Sequence, residues 1–165
     1  MDTKSLFSEN ITREINLIRS KFPVDKSKSA IIESLLIIQH DNNGFLSDEL
    51  IASLANYLDI QKIDVYEVAT FYSMFNLKPV GKNIISVCTN VSCMLRNSDG
   101  IVSHIEKRLK IKIGESTKDN KFYLKDEMEC LAACNGAPMM QVNHINYENL
   151  TTEKVDKILD EIAND

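Results

Sequence analysis

Four cysteines set in two close pairs, Cys88-x4-Cys93 and Cys130-x3-Cys134 with 36 residues between the pairs, restrict this 165-residue chain more than any other feature. Thiolates separated by three or four intervening residues can converge from one loop. Two such loops at the ends of neighbouring strands can close a four-sulfur cage around a metal centre. Cys88 is expected to end a strand and Cys93 to sit at or just before a helical turn, where free backbone N–H groups stabilise thiolate charge.

The compartment bears on what the cysteines do. The first twenty residues contain Asp2, Glu9 and Glu14 and no apolar signal core, so they resemble neither a secretory signal nor an acid-poor transit peptide. The expectation is an intracellular, reducing setting, unless a targeting segment has been removed. There, four cysteines are more often metal ligands or redox groups than structural disulfides. The spacing leaves open a 2Fe-2S cluster, a structural zinc, two disulfides or unliganded thiols. Zinc ribbons mostly use two-residue gaps, which favours iron and sulfur over zinc. The plant-type ferredoxin spacing fails because no third cysteine follows Cys93 after two residues, and a Rieske centre fails because histidines must replace one cysteine pair. His40, His104 and His144 are scattered, and no Cys-x-x-Cys dithiol is present.

The rest of the chain reads as two regions. Residues 1–80 have helical periodicity: Ile11, Ile15, Ile18 and Phe22 form a stripe that Pro23 ends, and residues 30–39 carry a wide apolar face. Ser47 is expected to cap a third helix bearing Leu50, Leu54 and Leu58. A fourth is expected to begin with the Asp64 and Glu67 capping pair and to bury Val68, Phe71, Tyr72 and Phe75. The period changes after Gly81. Residues 83–87 form a β-branched run that fits a buried strand, residues 99–109 a helix, residues 122–124 and 139–142 further strands, and Thr151 caps a last helix inside which Val155, Ile158, Leu159 and Ile162 face inward. The expected class is α+β: an N-terminal helical bundle (1–80) followed by a small α/β domain (81–165) with a short mixed sheet.

Composition adds exclusions. A formal net charge of −5, with acidic and basic residues spread over both regions, offers no nucleic-acid footprint. The longest apolar runs fall far short of the roughly 20 residues that span a bilayer, so no direct membrane insertion is expected. None of the five glycines belongs to a Gly-x-Gly-x-x-Gly or Walker-type loop.

The segment Cys88-Thr-Asn-Val-Ser-Cys93-Met-Leu-Arg96, preceded by Pro79-Val-Gly81 and followed by Glu129-Cys130-Leu-Ala-Ala-Cys134-Asn-Gly-Ala-Pro138-Met-Met-Gln-Val-Asn143, strongly resembles the thioredoxin-like 2Fe-2S subunits of NADH:quinone oxidoreductase, the respiratory complex I of bacteria and mitochondria. The resemblance extends through Gly44-Phe-Leu46, residues 67–75 and Tyr147-Glu-Asn-Leu150, and covers roughly residues 10–160. It implies a thioredoxin-like second domain carrying one 2Fe-2S cluster, with Cys88, Cys93, Cys130 and Cys134 as ligands. Three positions depart from the family's pattern: Phe45 replaces a common Trp, Ala132 a common Gly, and Asn135-Gly136 varies a segment that differs among members. Ala132 matters most if its backbone needs positive φ, which Ala tolerates poorly.

A 2Fe-2S centre passes single electrons, whereas NADH delivers a hydride that a flavin must divide. The resemblance therefore places FMN and NADH on a partner, the flavoprotein subunit, among the other peripheral-arm subunits of complex I. It implies a location on the cytoplasmic side of the bacterial inner membrane, or the mitochondrial matrix side if a transit peptide has been removed. Asp126, Glu127 and Glu129, next to Cys130, are expected to disfavour reduction of an already negative cluster. Two alternatives stand beside this one. One is the equivalent subunit of the diaphorase module of a NAD-linked hydrogenase or formate dehydrogenase; the other is a zinc-stabilised interaction module with no electron transfer.

Overall fold

The computed structural model describes residues 6–126 and 130–164. The chain divides into two compact units, Met1–Pro79 and Val80–Asp165.

In the first unit, α1 (Glu9–Arg19) begins where the Ser8 hydroxyl accepts a hydrogen bond from the Ile11 amide, and it buries Ile11, Ile15 and Ile18. This is the stripe that the i, i+4, i+7 spacing dictates. The helix stops at Arg19, with Ser20 as its C-cap, short of the expected Phe22 and Pro23, and residues Val24–Ala30 form a 3-10 segment for which the periodicity gave no signal. Next comes α2 (Ile31–Asp41), followed by α3 (Asp48–Leu58), capped by Ser47 as expected. Ile15, Leu35, Ile38, Leu46, Ile51, Leu54 and Leu58 are sealed in the core. Burial of each contributes on the order of 1.5–3 kcal/mol. Gln39 fastens the end of this unit: its Nε2 donates to the Met74 carbonyl and its Oε1 accepts from the Asn76 amide, while Asn76 Nδ2 donates to the Gly44 carbonyl.

The fourth helix, α4 (Lys62–Phe71), departs from expectation. It starts two residues before Asp64, whose carboxylate pairs with Lys28 Nζ at 2.7 Å instead of capping. Val65 and Ala69 are the buried positions, Val68 and Tyr72 are half-buried, and Phe71 is 79% exposed. The helix stops at Phe71 because Tyr72 turns extended (φ −88°, ψ 123°), so Phe75 reaches the core from a loop. Helical spacing therefore no longer relates Phe71 to Phe75.

In the second unit, β1 (Asn83–Val87) lies between β2 (Phe122–Lys125), which is parallel to it, and β3 (Met140–Val142), which is antiparallel; β4 (Ile145–Tyr147) pairs with β3 at the edge, giving the order β2-β1-β3-β4. The sheet is mixed, as expected, and β4 is one strand more than the sequence suggested. It returns through a two-residue turn in which Asn143 takes φ 54°, the left-handed setting such hairpins favour. A parallel neighbour requires a crossover, and α5 (Val91–Met94) and α6 (Ser98–Leu109) supply it. The chain closes with α7 (Thr152–Asn164), begun by the Thr151 hydroxyl accepting from the Lys154 amide. Ile85, Ile105, Leu124, Met140, Val155 and Leu159 fill the core. Gly81 lies so close to β2 that a Cβ there would sit 2.4 Å from the Phe122 carbonyl carbon. Together the elements make the α+β class expected. No helix among the described residues is long and apolar enough to cross a membrane.

Candidate metal centre

Strand β1 delivers Cys88. Ile84, Ile85 and Val87 are β-branched, all of its residues but Ile84 are buried, and pairing continues one step past the strand as the Cys88 amide donates to the Met139 carbonyl at 3.1 Å. The chain then turns into α5, a single turn that carries Cys93 inward. Cys88 and Cys93 are 2% and 1% exposed and pack against Ala137 and Met139, with Leu131 and Ala133 beside them. Cys130 and Cys134 lie on the segment after β2 and are exposed, their sulfurs 3.5 Å apart.

All four cysteines line one cavity of about 90 Å³, together with Asn90, Val91 and Ser92. Organic cofactors occupy pockets of roughly 300–1,000 Å³, so this space fits an inorganic centre and excludes a flavin or nicotinamide. A wider, shallow hollow of about 600 Å³ opens in the first unit, lined by Glu67, Val68, Thr70, Phe71 and Tyr72 and by no cysteine. Among the described residues, no three His, Cys, Asp or Glu side chains gather as they would around a single metal ion. The cysteines are organised instead as two pairs, Cys130 and Cys134 with their sulfurs 3.5 Å apart, and Cys88 and Cys93 packed together in one buried cluster. Two sulfurs per iron is the arrangement a four-thiolate binuclear centre needs.

The electrostatics agree. Burial pushes the Cys93 thiol up, a backbone hydrogen bond from Met139 opposes this, and the neighbouring Cys88 and Cys134 raise it further. A thiolate there is costly unless a cation lies beside it. The amides of Val91, Ser92 and Cys93 form the first turn of α5 and have no backbone acceptor among the described residues. Other amides of the cysteine segments are already engaged and do not face a bound cluster: besides that of Cys88, Met94 donates to the Asn90 carbonyl and Gly136 to the Ala133 carbonyl.

Ala132 has φ 59°, so this position does take the left-handed conformation. Gly136, at the end of the 3-10 turn Cys134–Gly136, is buried, and a Cβ there would lie 2.1 to 2.5 Å from the side-chain atoms of Glu148. Asp126 is exposed; the expected contribution of Glu127 and Glu129 lies outside the described residues. None of the three histidines lines the cavity; His104 instead meets Asp156 at 2.9 Å. In the basic run 107–112, Arg108 ties α6 to Asp160 and Asp156 of α7, and Lys112 pairs with Glu106. Sequence reasoning found all four cysteines. Met139 falls on an expected strand, but that it and Ala137 pack beneath the inner cysteines was not foreseen.

Comparison with known proteins gives a consistent picture. A family model described as thioredoxin-like [2Fe-2S] ferredoxin matches residues 15–163. The E subunit of the NADH-quinone oxidoreductase of Rickettsia bellii is 46% identical over 169 residues, covering the whole of both chains, and its counterpart in Rickettsia felis is 46% identical over 165 residues, covering 98% of its length. The mitochondrial NADH dehydrogenase [ubiquinone] flavoprotein 2 of Dictyostelium discoideum is 41% identical over 156 residues, 94% of this chain and 62% of that one. Among solved structures, a NAD+-reducing [NiFe]-hydrogenase in its air-oxidised state superposes with a TM-score of 0.66 at 18% identity. The superposition covers 79% of this chain and 23% of the hydrogenase chain, and it shows a shared fold.

Proposed function

The chain belongs to the thioredoxin-like [2Fe-2S] ferredoxin family, and from that premise we propose that Cys88, Cys93, Cys130 and Cys134 are the ligands of its one 2Fe-2S cluster. The observation that carries this assignment is the single cavity that all four side chains line, in two pairs, with no room for an organic cofactor. The protein is an electron-transfer subunit of NADH-quinone oxidoreductase, an oxidoreductase complex, and works among the other subunits of that complex.

The cluster, when bound, supplies a one-electron carrier. The chain's own residues do the rest. Cys88 and Cys93 bind from the buried side and keep water from it, and Ala137 and Met139 form its apolar floor. Cys130 and Cys134 bind from the solvent side. The amides of the first turn of α5, which have no backbone acceptor among the described residues, favour negative charge on the sulfurs. None of the five glycines belongs to a Gly-x-Gly-x-x-Gly or Walker-type loop, so FMN and NADH would be held by the flavoprotein subunit, which would supply the electrons. The units 1–80 and 81–165 act as a helical domain and a cluster-bearing domain, on the cytoplasmic face of the membrane that holds the complex.

The hydrogenase likeness supports a second reading, a diaphorase subunit of a NAD-linked hydrogenase. Likeness over the full length at 46% identity weighs more than a fold shared at 18% with under a quarter of a longer chain. Metal and sulfide analysis of anaerobically purified protein, with EPR after dithionite reduction, tests the ligand assignment. About two irons and two sulfides per chain are expected, with a rhombic signal lost in each cysteine-to-serine variant. Stoichiometric zinc that persists after iron and sulfide reconstitution is the result that rejects it. Co-purification with the flavoprotein and membrane-arm subunits, rather than with a nickel subunit, separates the two assemblies.

A further inference from the structure

Eight non-glycine residues of the described chain have positive φ, and six of them are Asn43, Asp59, Asn97, Asn120, Asn143 and Asn149. Asn and Asp tolerate the left-handed region because their short polar side chains hydrogen-bond the local backbone. Lys110 is the seventh and ends α6, where a left-handed residue commonly closes a helix. Ala132 is the eighth. It ends no helix, carries no side chain able to offset the clash between its Cβ and the following carbonyl, and is exposed, so packing does not force its shape. The amides of Leu131, Ala132 and Ala133 have no backbone partner among the described residues. Among the described residues, then, no backbone hydrogen bond from these three amides holds the residue left-handed.

What surrounds Ala132 is the pair of exposed cysteines, two residues to either side, with sulfurs 3.5 Å apart. Ala133 then has φ −112° and ψ 45°. The chain reverses hand between the two sulfurs, and this reversal brings them together on a segment that is not helical. Resting on the ligand assignment above, we propose that Ala132 is a positioning residue that holds the Cys130–Cys134 loop under backbone strain, so that the cluster-binding shape is maintained by ligation and the loop is biased to release its side of the cluster. The strain acts on the solvent-side pair alone. Cys88 and Cys93 are fixed by β1 and by the core beneath them.

The test measures cluster loss from the full-length protein to an excess of iron chelator, followed by visible bleaching, in four variants. Ala132→Gly relieves the clash, and Ala132→Asn relieves it while adding bulk; both are expected to lose the cluster about threefold to tenfold more slowly than the parent. Ala132→Val, β-branched and poorly suited to positive φ, is expected to lose it faster. Ala133→Gly loosens the same loop where φ is negative and is expected to bring no slowing. A packing role at 132 would rank the variants by size and set Asn beside Val. The EPR signal of the reduced cluster adds a second readout, with Gly and Asn expected to share altered g values that Ala133→Gly does not produce. The inference is overturned if Ala132→Gly and Ala132→Asn bleach as fast as the parent while all bind about two irons. Absence of iron and sulfide from every variant, parent included, overturns the ligand assignment and the inference together.

Discussion

Cys88 and Cys93 are 1–2% exposed and rest on Met139 and Ala137, whereas Cys130 and Cys134 stand in solvent on a segment with a strained residue between them. The first pair is as much core as site. Strand pairing at the Cys88 amide and the apolar floor fix it whether or not a metal is held. The second pair is exposed, and its segment is held through its neighbours, Leu131 and Ala133 beside the inner pair and the Gly136 carbonyl accepting from the Asn149 amide. One centre thus draws on a preorganised half and a half that ligation must organise, and substitutions at the two halves should differ in kind.

The largest effect is expected at Met139, which is fully buried under the inner pair. Met139→Ala leaves a cavity there and should lower the stability of the protein by about 2–5 kcal/mol. Chemical denaturation of the metal-free chain measures it, and a loss under about 1 kcal/mol would mean that the inner pair is not built into a core after all. Next come the cysteines compared with each other. Cys93→Ser buries a hydroxyl among apolar groups and should cost about 1–3 kcal/mol in the metal-free protein, whereas Cys134→Ser, exposed, should stay within about 0.5 kcal/mol although both abolish the cluster. Equal losses in the two variants would erase the contrast.

The smallest effect concerns how firmly the inner half is anchored, through β2, the parallel neighbour of the strand that delivers Cys88. Asp119 begins β2 by accepting from the Thr117 hydroxyl and the Lys121 amide, and these hydrogen bonds hold its carboxyl below the usual range. A carboxyl lowered on folding contributes above its unfolded value, and the contribution is lost as pH falls through the folded one. The protection factor of the Lys121 amide, its exchange rate corrected for the intrinsic pH dependence, should therefore fall on acidification through the carboxylate range. Asp119→Asn should flatten that dependence, and an unchanged profile would remove Asp119 from the account.

The residues that the sequence made legible are those whose neighbours are near in the chain. Ser47 and Thr151 caps, the Ile11–Ile15–Ile18 stripe and the strand ending at Cys88 follow from local pattern, and each is found where expected. The fate of Phe71 was not legible, because it depends on where α4 stops, and that is set by the extended turn at Tyr72. Strand β4 was missed since three residues with Asn146 between Ile145 and Tyr147 carry too little alternation to distinguish a strand. The pairing of cysteines was visible as spacing. The burial difference between the pairs was not, because it comes from Ala137 and Met139 folding back beneath only one of them.

Gly136 carries a consequence for how this loop is inherited. The volume that a side chain at 136 needs is held by Glu148, including its Cβ, which cannot swing aside as a chain tip can. The two positions are twelve apart in sequence but share one allotment of space. A lineage that enlarges residue 136 must first trim or reroute residue 148, and the reverse order is equally open only while 136 stays glycine. Substitution at either position is thus historically conditioned by the other, and transplanting this cysteine loop into a relative would require moving both residues together.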